Sequence, residues 1–168
     1  SGGFGRGPGG LDAAVNWPVV LGVLSGFTMI VGNLCALFQT NAKRLLDFLK
    51  KRGYRLAVAS NRPTRFSRIV LKVLEIDRYF DYVLCADKVR RPKPAGDLLK
   101  AILRRFGAKP AEALYVGDMI IDVQTGRRAR VKTVAVTTGS CTAAELKRLN
   151  PLAVVRRVEE VKKFLISK

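Results

Sequence analysis

The 168-residue sequence contains no histidine, which excludes a histidine-ligated zinc site, a histidine-based triad and any histidine acid/base catalyst. Cysteine is scarce too. Cys35, Cys85 and Cys141 stand far apart with no C-x-x-C pair, so they read as thiols of a reducing compartment, and no disulfide-linked partner is expected. That points to the cytoplasm. Acid is the third shortage: 13 Asp and Glu stand against 31 Lys and Arg, a formal net charge of +18. An excess of that size attracts polyanions through counterion release, or an anionic membrane surface, nucleic acid being the commoner partner. The lack of histidine with abundant Lys and Arg also suits a thermophile.

The most consequential shortage is local. Residues 13–42 carry no charge, and no Asp or Glu occurs between Asp12 and Asp47. By hydropathy alone, about 20 residues from Val19 to Phe38 could cross a membrane, with Trp17 at one edge and Gly22-x-x-x-Gly26 as a helix-packing spacing. Against a span, the β-branched start, the glycines and the polar breaks at Ser25 and Asn33 read as a short buried strand, a loop and further apolar chain. A signal peptide fits less well still, since no basic segment directly precedes the run and no small-residue cleavage site follows it.

What is present is a regular alternation. The pattern predicts helices over 41–52 (stopped by Gly53), 65–74, 96–106 (stopped by Gly107), 121–129, 142–149 and 158–166. Between them it predicts strands over 54–59, 82–86, 113–116, 133–137 and 153–155. Alternating apolar strands and helices imply an α/β fold: a Rossmann-like three-layer sandwich around a parallel sheet. The length suits one domain, read as 17–168 behind a glycine-rich tail over 1–16.

A parallel sheet presents its functional loops at the carboxyl ends of its strands. Those ends hold Ser60 in LAVASN, Lys93 in RRPKP, and Asp118 with Asp122 in YVGDMIID. Hydroxyl and ammonium groups can hold phosphate oxygens, and carboxylates at i and i+4 at a helix start offer the hard oxygen ligands that Mg²⁺ prefers. Taken singly, each has a bland reading: Ser60 as a helix cap, Lys93 as one surface base among many, and the two aspartates as a first-turn capping pair.

Order and spacing together are more specific. From about Lys43 onward the chain resembles the haloacid dehalogenase superfamily of phosphohydrolases, in its phosphoglycolate-phosphatase-like branch. LLDFLKKRGYRLAVASN resembles the segment ending in the second motif, RRPKPAGDLLKAIL the third, and ALYVGDMIIDVQTGRRARVKTVAVTTG the fourth. The resemblance implies phosphate binding at Ser60 and Lys93, and magnesium binding at Asp118 and Asp122. It also implies a first motif, D-x-D-x-T or D-x-D-x-V, whose first Asp attacks phosphorus and whose second is the general acid/base. With Thr28 at the last position, those aspartates fall at Leu24 and Gly26, neither of which can do the chemistry. Either Asp118 and Asp122 retain Mg²⁺ weakly or they merely cap their helix, and capping is the preferred reading. Residues 29–42 leave little or no room for a cap domain.

The missing aspartates and the basic charge lead to the expectation of a catalytically inactive dehalogenase-like domain reused as an RNA-binding, ribosome-associated ribonucleoprotein component. Its RNA contacts are expected at Arg6 in the tail, at Arg62, Arg65 and Arg68, at Arg90 and Arg91, and at Arg127, Arg128, Arg130 and Lys132, mostly toward phosphates. The alternative is a working Mg²⁺-dependent phosphomonoesterase for a small phosphorylated substrate.

Overall fold

The computed structural model describes residues 19–22 and 34–165. The tail over 1–16 with Arg6, and Leu24 with Gly26, lie outside these described residues. Six strands, β1 (Val19–Gly22), β2 (Arg55–Ser60), β3 (Tyr82–Cys85), β4 (Ala113–Gly117), β5 (Lys132–Val136) and β6 (Ala153–Val155), pair in parallel in the order β3-β2-β1-β4-β5-β6. The five α-helices among the described residues are α1 (Leu34–Lys51), α2 (Thr64–Val73), α3 (Asp97–Phe106), α4 (Ile120–Ala129) and α5 (Ala143–Arg148).

Successive side chains of a strand point to opposite faces, and the burial follows that period. Leu56 and Val58 of β2, Leu114 and Val116 of β4, and Val134 and Val136 of β5 pack with Leu45 and Leu49 of α1 and Leu71 of α2. Ala57, Ala59 and Tyr115 turn the other way, against Leu98, Leu99 and Ile102 of α3. Those three α3 side chains are wholly buried, each contributing roughly 1.5–3 kcal/mol. The result is helix, sheet and helix in three layers.

For Val19–Gly22 of the uncharged opening run, position explains the lack of charge. β1 is hydrogen-bonded to β2 on one side and β4 on the other, a central strand of a sheet covered on both faces, where charge would be unsatisfied. It is a strand separate from α1, and among the described residues no helix is long and apolar enough to cross a membrane. Gly53 (φ 78°) and Gly107 (φ 61°) end α1 and α3 in the left-handed region that glycine occupies without strain.

Two expected elements differ. The first helix begins at Leu34 rather than residue 41, because LCALFQT consists largely of good helix formers that continue the turn upstream of Asn41. The closing segment Val158–Phe164 is 3₁₀ rather than α-helical. Its apolar residues Val158, Val161 and Phe164 recur every third position, the spacing that a 3₁₀ turn stacks on one side.

The two helices on the α3 face approach closely. A Cβ on Gly96 would lie 2.9 Å from the Ala129 nitrogen and 3.0 Å from the Arg128 carbonyl carbon, both backbone atoms of the α4 end. Gly96→Ala is expected to cost about 1–3 kcal/mol by forcing the helices apart, and a thermal melt that matches the parent would refute the contact.

Candidate functional site

The strand order reverses beside β1: the chain builds outward to β2 and β3, then returns to β4 on the other side. A crevice opens at such a switch point, outside the carboxyl ends of the strands. Ser60 ends β2, Asp118 follows β4, and the loop after β3 brings Lys93 to the same edge. The last paired level of β1 is Gly22 with Val58 and Val116, two residues short of Ser60 and Asp118.

Asp122 is the hub. Its Oδ1 accepts from the Lys93 ammonium at 2.9 Å and from the Tyr115 hydroxyl at 3.0 Å. Its Oδ2 accepts from the backbone N–H groups of Asp118 and Met119, at 3.2 and 3.1 Å. The last bond is the helix cap, with Met119 at the N-cap and Asp122 three residues on. The Lys93 and Asp122 side chains are both 0% exposed. A carboxylate offers about four lone-pair sites, and at least four donors approach this one. Asp122 therefore anchors the Lys93 ammonium at this edge of the sheet.

Burial pushes the Lys93 ammonium below its ordinary range, with the attraction of Asp122 first, then of Asp118 and Cys85, pulling the other way. Burial likewise pushes the Tyr115 phenol far up, helped by Asp122, so it stays a neutral donor. The Lys93 backbone is held by Asn61, whose Oδ1 accepts from the Lys93 N–H at 2.8 Å and whose Nδ2 donates to the Lys93 carbonyl at 3.0 Å. Ser60 Oγ accepts from the Arg62 N–H at 3.1 Å, an ST-type turn that leaves the hydroxyl hydrogen as a further donor.

Two glycines make room for the aspartates. A Cβ on Gly117 would overlap Asp122, with its Cγ at 2.6 Å, and one on Gly139 would lie 2.6 Å from Asp118 Oδ2. Asn61, Tyr115 and Gly139 escaped the sequence reading. Asn61 had a signal, since it directly follows Ser60, whereas Tyr115 reads as an ordinary core aromatic inside a strand.

The structure gathers Ser60, Lys93, Asp118 and Asp122, but it does not gather the basic residues. Arg62, Arg90 and Arg91 lie at the carboxyl edge, and the Arg91 guanidinium is engaged by Asp97 through two 3.0 Å bonds. Arg65 and Arg68 are exposed on α2. Arg127, Arg128, Arg130 and Lys132 cluster around the end of α4 and the start of β5, at the opposite edge of the sheet. The described residues thus form no single basic face, because helices that follow parallel strands run back and end at the far edge.

Comparison with known proteins overturns the RNA-binding reading. The family model for haloacid dehalogenase-like hydrolases matches residues 33–136. The pyrophosphatase PpaX of Bacillus velezensis is 38% identical over 91 residues, covering 54% of this chain and 42% of that protein. The phosphoglycolate phosphatase of Haemophilus influenzae is 34% identical over 121 residues, covering 71% of this chain and 54% of that one. The crystal structure of a predicted phosphoglycolate phosphatase from Haemophilus somnus superposes with a TM-score of 0.70 at 27% identity, over 74% of this chain and 55% of that chain. The chain spans about half the length of the curated relatives it matches. Named phosphatases, rather than ribonucleoprotein components, are what it resembles, so the expectation of an RNA-binding, ribosome-associated pseudoenzyme is corrected to the phosphatase alternative. With the fold, the switch-point site and the matched motifs in agreement, this chain belongs to the haloacid dehalogenase-like hydrolases.

Proposed function

We propose that this chain forms the core of a Mg²⁺-dependent phosphomonoesterase acting on a small phosphorylated substrate. The observation that carries the reading is the buried Lys93, fixed at its side chain by Asp122 and at its backbone by Asn61. A desolvated cation costs several kcal/mol unless paired, and holding one rigidly at a sheet's switch point suits the recognition of an anion. The relatives named pyrophosphatase and phosphoglycolate phosphatase support phosphate as that anion.

The donor set fits Mg²⁺ in one way. Among the described residues there is no group of three or more His, Cys, Asp or Glu placed to hold a metal ion, and Asp122 already accepts four hydrogen bonds. Mg²⁺ commonly takes one or two carboxylates plus substrate phosphate oxygens, so Asp118 is the residue that would hold it. When bound, the ion would neutralise charge on the phosphoryl group. Lys93 and the Ser60 hydroxyl would hold phosphoryl oxygens, an ammonium having three donors of which the Asp122 bond engages one. Hydrolysis joins the water oxygen to phosphorus and breaks the ester P–O bond. The ester oxygen leaves with the electron pair and gains a proton, giving an alcohol and inorganic phosphate. Water is the nucleophile proposed, because Leu24 and Gly26 carry no nucleophilic side-chain atom and Asp47 lies on α1 within electrostatic range of Arg78. The free thiols Cys85 and Cys141 support a reducing, cytoplasmic setting, and one domain over 17–168 is the organisation proposed.

The full chain is expected to release inorganic phosphate from p-nitrophenyl phosphate or pyrophosphate with Mg²⁺ and to stop in EDTA; no release from either substrate sinks the reading. Acid quenching during turnover of a radiolabelled ester is expected to leave no label on the protein. Label retained on the chain would mean that a side chain attacks phosphorus.

A further inference from the structure

Four large apolar side chains are exposed among the described residues, and three of them, Phe66 (60%), Ile69 (49%) and Val73 (72%), stand on α2. Their spacing of i, i+3 and i+7 sets them in one stripe along the helix. Single exposed apolar residues are ordinary, whereas a contiguous row of them marks a contact. Helix formation does not account for the row, since phenylalanine, isoleucine and valine all favour a helix less than alanine or leucine does. Nor does the core, which takes Ser67 and Leu71 from the other side of α2.

One shoulder of the stripe is basic. Arg65, Arg68 and Lys72 are exposed beside it and, among the described residues, enter no ion pair. Along that shoulder a groove of about 530 Å³ runs between α2 and the half-buried Phe80 and Val83. Val83 belongs to β3, which bonds to β2 alone and so borders the sheet. The carboxylates of the groove are Asp77 and Asp81. Asp81 already accepts from the Lys50 ammonium at 2.7 Å and from the Leu56 N–H at 2.8 Å, which leaves Asp77 against three cations.

We propose that α2 docks an acidic amphipathic helix of another protein. Apolar side chains of that helix lie on Phe66, Ile69 and Val73, and carboxylates on its flank meet Arg65, Arg68 and Lys72 over the groove. Helices pack with the side-chain ridges of one in the grooves of the other, and opposite charge fixes the register. A second copy of this chain suits the stripe poorly. Antiparallel pairing about a two-fold axis would set the same basic shoulder of each copy against the other, and each copy carries +18. An anionic lipid surface would meet the stripe and the cations but leave the groove unfilled. None of these residues belongs to the phosphate site, so the proposal does not rest on the phosphatase reading.

Fluorescence polarisation of the full chain tests it with two labelled peptides of identical Leu and Glu content, one ordered as an amphipathic helix and one scrambled. The ordered peptide is expected to bind about tenfold or more tightly than the scrambled one. Phe66→Ser with Val73→Ser is expected to lower its affinity about tenfold or more, and Arg65→Glu with Lys72→Glu to do the same. Net charge alone gives a different pattern, in which both peptides bind equally and only the charge variant weakens them. That pattern, an absence of binding, or an unchanged affinity in the Phe66→Ser, Val73→Ser variant would each overturn the proposal. So would a dimer that the same variant dissociates in sedimentation equilibrium, or stripe-dependent binding to phosphatidylserine vesicles with none to the ordered peptide; the stripe would then serve a second copy or a membrane.

Discussion

Asp122→Ala is expected to lower the unfolding free energy by about 3–5 kcal/mol, the cost of leaving a buried cation without its partner. The substitution removes the acceptor for Lys93, for Tyr115 and for two backbone N–H groups at once. Lys93→Met leaves the Asp122 carboxylate without its counter-charge but still accepting from Tyr115 and two backbone N–H groups, so its cost is expected to be smaller. The double variant should recover part of the Asp122→Ala loss, because the orphaned ammonium has gone; two residues in one network are not additive. Urea titrations of the four proteins form the cycle, and equal losses in both single variants with full additivity would refute the hub.

The pH dependence has a definite sign. Burial holds Lys93 below its ordinary value in the folded chain, so the unfolded chain binds the extra proton more readily. Stability from this group therefore rises with pH, from the folded-state pKa up to the unfolded value of about 10.4. Without Asp122 the folded-state pKa falls further. The deficit of Asp122→Ala should be largest near neutral pH and shrink toward alkaline pH, where a neutral amine needs no counter-charge.

Asp118→Asn is expected to separate function from stability. Asp118 is half-buried beside Gly139, and the amide keeps its shape while losing its charge. Phosphate release is expected to fall roughly 100-fold or more, the scale seen when an electrostatic contact to a reacting group is removed, while the melting curve stays within about 0.5 kcal/mol of the parent. Activity unchanged by this substitution would exclude Asp118 as the residue that holds Mg²⁺. Equal loss of stability would make it a second structural anchor, like Asp122.

Much of this architecture is legible in the sequence. Strand and helix periods act over a few residues, so β2, β4, α3 and the stops at Gly53 and Gly107 follow from local pattern, and with them the residues at the strand ends. The charge excess misled for a related reason: a net charge counts cations without locating them. Arg62 and Lys132 contribute equally to +18, yet they lie at opposite edges of the sheet.

The sequence by itself determined the alternating fold, the identity of Ser60, Lys93, Asp118 and Asp122 as strand-end groups, and the lack of any carboxylate between Asp12 and Asp47. Only the tertiary structure brought Asp122 its distant partners. Asp122 is engaged by Lys93 from 29 residues away, while Asn61 reaches across 32 residues to clamp the Lys93 backbone. Such partnerships depend on the strand order and on loops that close over long stretches of chain, and no local period encodes them.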